Sequence, residues 1–337
     1  MSNVFGGQIP SINPDANYWF FRTSGGYLYE NFKEHGLVSI GYPEFKLSEL
    51  SILNKYESDQ YPDQLKKMAS AKYPSSERPG LVASQLYRFY SLMKKDDYVI
   101  IPNHGSENLL IGQIRSDSVE SQNLFVKGKL VDGFNKIKRV KWLKETSRYH
   151  VNPNLLGLFS THQTVSAAND YQDWIDEIIY DIYEKGGLYF FSLNVRKSKN
   201  FNAKHLFKGI YELLELTDIV CKNIGISENT DNVEAKINLN SPGKIKLIGK
   251  VALAMIVAGS IIIAFNGGHF NVEVKSLGIN ASIGSDGLIE KINRFLNSSA
   301  DRELKGRVGK IISEMQIARP EQIEQILKEI NSNNQNK

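Results

Sequence analysis

Apolar positions fall in short runs through the first half of the chain and in longer, helically spaced runs through much of the second. "NYWFFRT" opens with a strand over Tyr18–Arg22, in which Trp19 and Phe21 point opposite to Tyr18 and Phe20. "GYLYENFKEH" has a helical rhythm through Leu28 and Phe32 and stops at Gly36, before the short strand "LVSIGY". In "GLVASQLYRFYSLM", Val82, Leu86, Phe89 and Met93 make one helix face. After the turn "KKDD" come the strands "YVIIP" and "NLLIGQI", joined by the polar loop "NHGSE", and then "NLFVKGKL" and "IKRVKWL". Five or six short strands with a few helices predict an α+β fold built on a small curved sheet or barrel.

The second half reads as mostly helical. "DYQDWIDEIIYDIYEKGG" predicts one amphipathic helix carrying Trp174, Ile178, Ile179 and Ile182, stopped by Gly186 and Gly187. The strand "LYFFSLNVRK", the long helix "NAKHLFKGIYELLELTDIVCKNIGI" and the alternating "VEAKINLNSPGKIKLIG" follow. Three helical stretches, "DGLIEKINRFL", "RELKGRVGKIISEMQI" and "EQIEQILKEI", end the chain before a polar tail.

One segment breaks the pattern. Val251–Phe265 runs for fifteen residues without a charge, about 22 Å as a helix. Extended back to Leu247 it has nineteen residues, about 28 Å, close to the roughly 30 Å of bilayer hydrocarbon. Lys250 would then snorkel, and Lys244, Lys246 and Lys250 would put the N-terminal side in the cytoplasm. The segment predicts either a membrane-associated helix or a buried core helix.

Length and charge add two constraints. A chain of 337 residues suggests two domains, here 17–168 and 170–337. Residues 1–168 hold 20 Lys and Arg against 16 Asp and Glu, and residues 169–337 hold 21 against 21, so the surplus of +4 lies in the first half. Within it, Lys127–Arg148 carries eight basic residues against Asp132 and Glu145, interleaved with Phe134 and Trp142, a composition that suits a polyanion. Cys221 is the only cysteine and the six histidines are scattered, so neither a disulfide framework nor a metal site is expected, and no cofactor motif is present. The start "MSNVFGGQIP" lacks the build of a signal peptide, so the first half is expected in the cytoplasm.

The ordered set "NYWFFRT", "QLYRFYSLMKKDDYVIIPNHGSENLLIGQI", "IKRVKWL" and "LLGLFSTHQTVSAAN" resembles the EVE/PUA-like domain, in the version that precedes Mrr-like catalytic domains in bacterial modification-dependent restriction proteins. The resemblance covers residues 17–168 and departs at Asp96-Asp97, where the family usually has Gly-Asp. It implies a reader of a modified nucleobase or nucleotide-like ligand. By position, Trp19, Thr23, Ser84, Gln85, Asn103 and His104 would line the pocket, with Lys138, Arg139 and Lys141 on phosphates. Stacking on an aromatic ring is worth about 1–3 kcal/mol per base, and extruding a base from a duplex costs a few kcal/mol.

The same resemblance raises a nuclease, whose acidic residue and Glu-x-Lys tripeptide on adjacent strands would bind Mg²⁺. The tripeptides present are Glu234-Ala-Lys236 and Glu273-Val-Lys275, each common by chance in a chain rich in Glu and Lys. Asp218 falls in a predicted helix and Asp231 lies too near Glu234 to come from a separate strand. The main expectation is an antiviral defence sensor, a reader followed by a membrane-associated effector or anchor at the inner membrane. The alternatives are a modification-dependent nuclease and a nucleic-acid-binding module without catalysis. Expected partners are nucleic acid or a nucleotide-like ligand, a membrane through Leu247–Phe265, and further copies of the chain.

Overall fold

The computed structural model describes residues 9–53, 60–74, 78–120, 124–126, 129–131, 133–196, 202–238, 243–267 and 288–327. They divide into two compact units, Asp15–Ile179 and a second formed by residues 9–14 and 180–327. Strand β1 (Ser11–Ile12) belongs to the second unit.

The Asp15–Ile179 unit begins with β2 (Tyr18–Phe21), α1 (Tyr29–His35) and β3 (Leu37–Ile40). Gly36, at φ 59°, closes α1 where the sequence predicts the stop. Helices α2 (Leu47–Ile52), α3 (Tyr61–Lys72) and α4 (Pro79–Tyr87) follow, the last running into a π-helical turn over Arg88–Leu92. Next come β4 (Tyr98–Pro102), β5 (Asn108–Ile114), the short β6 (Val119–Glu120), the hairpin strands β7 (Leu124–Val126) and β8 (Lys129–Val131), the long β9 (Lys136–Ser147), β10 (Val165–Ala167) and α5 (Gln172–Ile179).

Here the predicted α+β character holds. The main sheet runs β10-β2-β4-β5-β9-β3, with only β2 and β4 parallel. Strand β9 curls it: Lys136–Arg139 pair with β3, whereas Val140–Ser147 pair with β5. The bend has a local cause. A register shift falls at Ile111/Gly112, where a Cβ on Gly112 would lie 2.5 Å from both Trp142 and Val140. Only glycine lets the two strands cross so closely.

The second unit departs from the predicted helical domain. After β11 (Ile182–Lys185) and β12 (Leu188–Val195) come α6 (Ala203–Ile224), β13 (Glu234–Asn238), β14 (Gly243–Gly249), α7 (Ala252–Phe265), α8 (Leu288–Asn297) and α9 (Arg302–Met315). A five-stranded sheet, β1-β11-β12-β14-β13, stands beside these helices. The single helix expected through Gly187 ends at Ile179, because Ile182–Lys185 pair with Leu188–Phe191. Gly186 and Gly187, at φ 61° and 79°, form the two-residue turn of that hairpin rather than a helix stop.

The Leu247–Phe265 stretch is likewise not one helix. Leu247–Gly249 end β14, and α7 is 14 residues long, about 21 Å. Among the described residues no helix is long and apolar enough to cross a membrane. Ala254–Ile263 are all buried in one apolar cluster with residues of α6, α8 and α9 and of the strands β12 and β14. A helix covered on every side must be apolar on every side, which accounts for the unbroken run. Glu228 Oε2 accepts from the Leu253 and Ala254 amides at 2.8 and 3.0 Å, satisfying the first turn of α7, and burial pushes its carboxyl up. A Cβ on Gly259 would sit 2.1 Å from Ile323 Cδ1.

That contact gives a direct test. Gly259→Val should destabilise the protein by about 1–3 kcal/mol through overpacking. Adding Ile323→Ala should recover part of the loss, read from denaturant midpoints. An unchanged midpoint in Gly259→Val would rule out the packing of α7 described here.

Candidate nucleic-acid interface

The aromatic opening of the Asp15–Ile179 unit is interior. Strand β2 lies between β10 and β4, and all four of its side chains are buried. Tyr18 stacks on Tyr98 with ring centroids 5.0 Å apart, and its hydroxyl donates to Asp176. On the other face Phe21 meets Phe32 and Phe89 edge-on at 6.1 and 6.0 Å. Trp19 is 5% exposed, and its Nε1 donates to Asp97 Oδ2 at 2.8 Å. The same carboxylate accepts the Asn17 and Lys94 amides, both at 2.9 Å. Asp96, in the place of the family's glycine, has φ 73°, a left-handed conformation that glycine takes freely and Asp tolerates.

The far end of β2 and β4 is different. Thr23 Oγ1 donates to the Pro102 carbonyl at 2.6 Å, and Asn103 Oδ1 accepts from the Asn108 amide at 2.8 Å. His104 Nδ1 donates to the Gly25 carbonyl at 2.9 Å. The two loops press together: a Cβ on Gly26 would fall 2.3 Å from the His104 nitrogen. Ser24, Gly25, Gly26, Gly105 and Ser106 all have positive φ. A third segment joins them, since Arg148 donates from its backbone to the Glu107 carbonyl at 2.8 Å and from Nη1 to the Gly105 carbonyl at 3.2 Å. Its guanidinium lies 5.2 Å over the Phe159 ring, and Arg22 donates to the Phe159 and Thr161 carbonyls. Exposed on this end are Tyr27, His104, Tyr149, His150 and His162.

Gln85 and Lys138 occupy the interior. Gln85 Oε1 accepts from the Val165 amide at 2.6 Å, while its buried Nε2 has no hydrogen-bond partner among the described residues. One helical turn on, the Phe89 ring carries Lys138 Nζ at 5.6 Å from its centroid. Lys138 is 1% exposed, its ammonium held against this ring. Burial lowers its pKa to about 8, against the opposing pull of Asp117 and Asp97. Lys136, two residues away, is satisfied by the Tyr42 carbonyl at 2.8 Å and Asn135 Oδ1 at 2.7 Å. Ser84 is half-buried, and Arg139 and Lys141 are exposed. Trp142 is half-buried with Nε1 donating to the Phe32 carbonyl, so it is not an open stacking face.

The structure therefore gathers Thr23, Asn103 and His104 at one end of the sheet. Trp19 lies four residues back along the chain, about 13 Å away at strand spacing, beside Asp97. Gln85 sits against β10, and Lys138 and Arg139 lie on the part of β9 paired with β3, not on the part that reaches this end. Tyr27, Arg148 and Tyr149 were not among the residues singled out by sequence. Their signals were modest: Tyr27 follows Gly25-Gly26, and Tyr149 stands between Arg148 and His150 just past a strand.

The nuclease candidates do not converge. Glu234 and Lys236 are exposed on β13, an edge strand, and Asp218 spends its carboxylate on the Thr230 amide and hydroxyl at 2.8 and 2.9 Å. Asp231 is exposed, and Glu273-Val-Lys275 lies outside the described residues. Among the described residues no three His, Cys, Asp or Glu side chains come together as a metal-binding group. Burial pushes the Cys221 thiol up to about 12, which leaves it a poor nucleophile. No family model matches the chain, and no curated protein matches it.

The desolvated ammonium of Lys138 makes a pH-dependent prediction. Its folded pKa lies below the unfolded value, so between about pH 8 and 10.5 the unfolded chain binds the extra proton and stability rises with pH. Lys138→Met should be more stable than wild type at pH 7, by about 1–3 kcal/mol. By pH 10 that advantage should shrink by roughly 2 kcal/mol, measured by chemical denaturation across the range. A pH-independent difference would contradict the lowered pKa that burial gives Lys138.

Proposed function

We propose that the Asp15–Ile179 unit binds nucleic acid or a nucleotide-like ligand at the end of its curled sheet formed by Ser24–Tyr27, Asn103–Glu107 and Ser147–His150. The observation that carries this reading is the convergence of these three loops, tied together through His104 and Arg148, with Tyr27, His104, Tyr149 and His150 exposed on them. A guanidinium, imidazoles that can donate hydrogen bonds and exposed aromatic rings together suit a phosphate-bearing ligand with flat bases. Two of the loops hold Thr23, Asn103 and His104 nearby, the polar positions that the EVE/PUA-like resemblance assigns to base recognition, and their hydrogen bonds to neighbouring carbonyls and amides keep the loops rigid. Left-handed residues crowd the same place, as happens where backbone geometry serves a site.

In a cell this reading makes the chain a sensor of modified or foreign nucleic acid, with the unit containing α7 as its response half. It calls for no membrane step from α7, which is enclosed in a protein core. The test is fluorescence anisotropy with labelled oligonucleotides, with and without cytosine modifications, at several salt concentrations. Binding should weaken with salt, and Arg148→Ala should weaken it at low salt and lower the salt slope by about 1. Failure of the wild-type chain to bind DNA, RNA or free nucleotides at 50 mM salt would end the proposal.

A further inference from the structure

Which physical form of nucleic acid fits this end of the sheet follows from two side chains that the fold leaves uncovered. Tyr27 is 52% exposed and Tyr149 is 73% exposed, in a unit whose other aromatic residues are mostly buried. They belong to different loops on either side of one turn. Tyr27 adjoins Gly26, whose Cα is packed against the His104 backbone, and Tyr149 adjoins Arg148, which holds the Gly105 carbonyl. The His104–Gly105 turn thus touches the residue that precedes each tyrosine.

Both rings keep more than half of their surface in water. An exposed aromatic loses nothing on folding if replaced by a polar residue, and two of them beside a fixed guanidinium make stacking surfaces. The rings sit on loops with their own restraints. Ser24, Gly25 and Gly26 hold the first loop by left-handed backbone, and the Tyr149 amide donates to Ser147 Oγ at 3.3 Å in the second. Stacking platforms held in place bind unpaired bases with little further ordering cost.

We infer that this end binds a single-stranded nucleic acid segment of two or more nucleotides, one base stacking on Tyr27 and another on Tyr149, with Arg148 on the intervening phosphate. A duplex is the weaker fit, because its base faces are already stacked on one another and only edges and backbone are offered. A free mononucleotide would occupy one platform alone. The inference rests on the nucleic-acid reading above and narrows it to an unpaired strand.

The experiment compares dT1, dT4 and dT12 with a mixed-sequence 12-base-pair duplex by anisotropy competition at 50 mM salt. Wild type should bind dT12 at least tenfold more tightly than the duplex, with affinity rising sharply from dT1 to dT4. Tyr27→Ala and Tyr149→Ala should each weaken dT12 binding about tenfold with the salt slope unchanged, whereas Tyr→Phe at either site should keep most of it. Both positions are exposed, so thermal melting should stay at the wild-type value and confirm folded variants. If the duplex binds as well as dT12, or both Ala variants bind dT12 like wild type while Arg148→Ala weakens binding, the stacked strand is wrong and the broader nucleic-acid reading stands. If wild type binds none of the four probes and no nucleotide, both fall.

Discussion

The parallel pairing of β2 with β4 is the constraint on which the Asp15–Ile179 unit depends. Parallel neighbours cannot be joined by a tight turn, and here α1 to α4 and β3 lie between them in sequence. Side chains clamp the pair at both ends. At the start, the Asp97 carboxylate takes three donors from Asn17, Trp19 and Lys94. At the finish, Thr23 binds the Pro102 carbonyl and His104 binds the Gly25 carbonyl. Hydrogen bonds to a charged group are worth about 1.5–3 kcal/mol each, so the buried Asp97 clamp is the stronger of the two. The finish is lighter, with the Thr23 bond buried and the His104 bond exposed.

Two roles for aromatic residues follow from that arrangement. Between the clamps, β2 is covered on both faces, and Tyr18 to Phe21 supply packing area. Beyond the finish, the chain leaves the sheet and its rings are only partly covered. Tyr27 and Tyr149 are therefore open for the same geometric reason that Trp19 is closed. Aromatic density marks the core, and isolated aromatics on constrained loops mark the surface.

The second unit shows the same rule with aliphatic side chains. Helix α7 is as apolar as a membrane segment because strands on one side and helices on the others remove every face from water. Its small residues serve contact with protein: Gly259 admits Ile323, and Gly309 on α9 admits Phe265. Small-residue spacing and a charge-free run are common to membrane spans and to central helices of packed cores, since both solvents are apolar.

The order of most strands in the first half, the stop of α1 at Gly36 and the polar loop Asn103–Glu107 could be read from local pattern alone. These features are local, set by side-chain period and by the few residues that accept positive φ. Tertiary structure alone decided that Ile182–Lys185 would extend rather than continue a helix, because its partner is another strand and pairing outweighs propensity. It also decided which aromatics face water, which end of the sheet gathers the loops, and that Lys138 would be buried against Phe89. Those properties depend on residues dozens of positions apart, and burial is a property of the neighbours a side chain acquires only when the chain has folded.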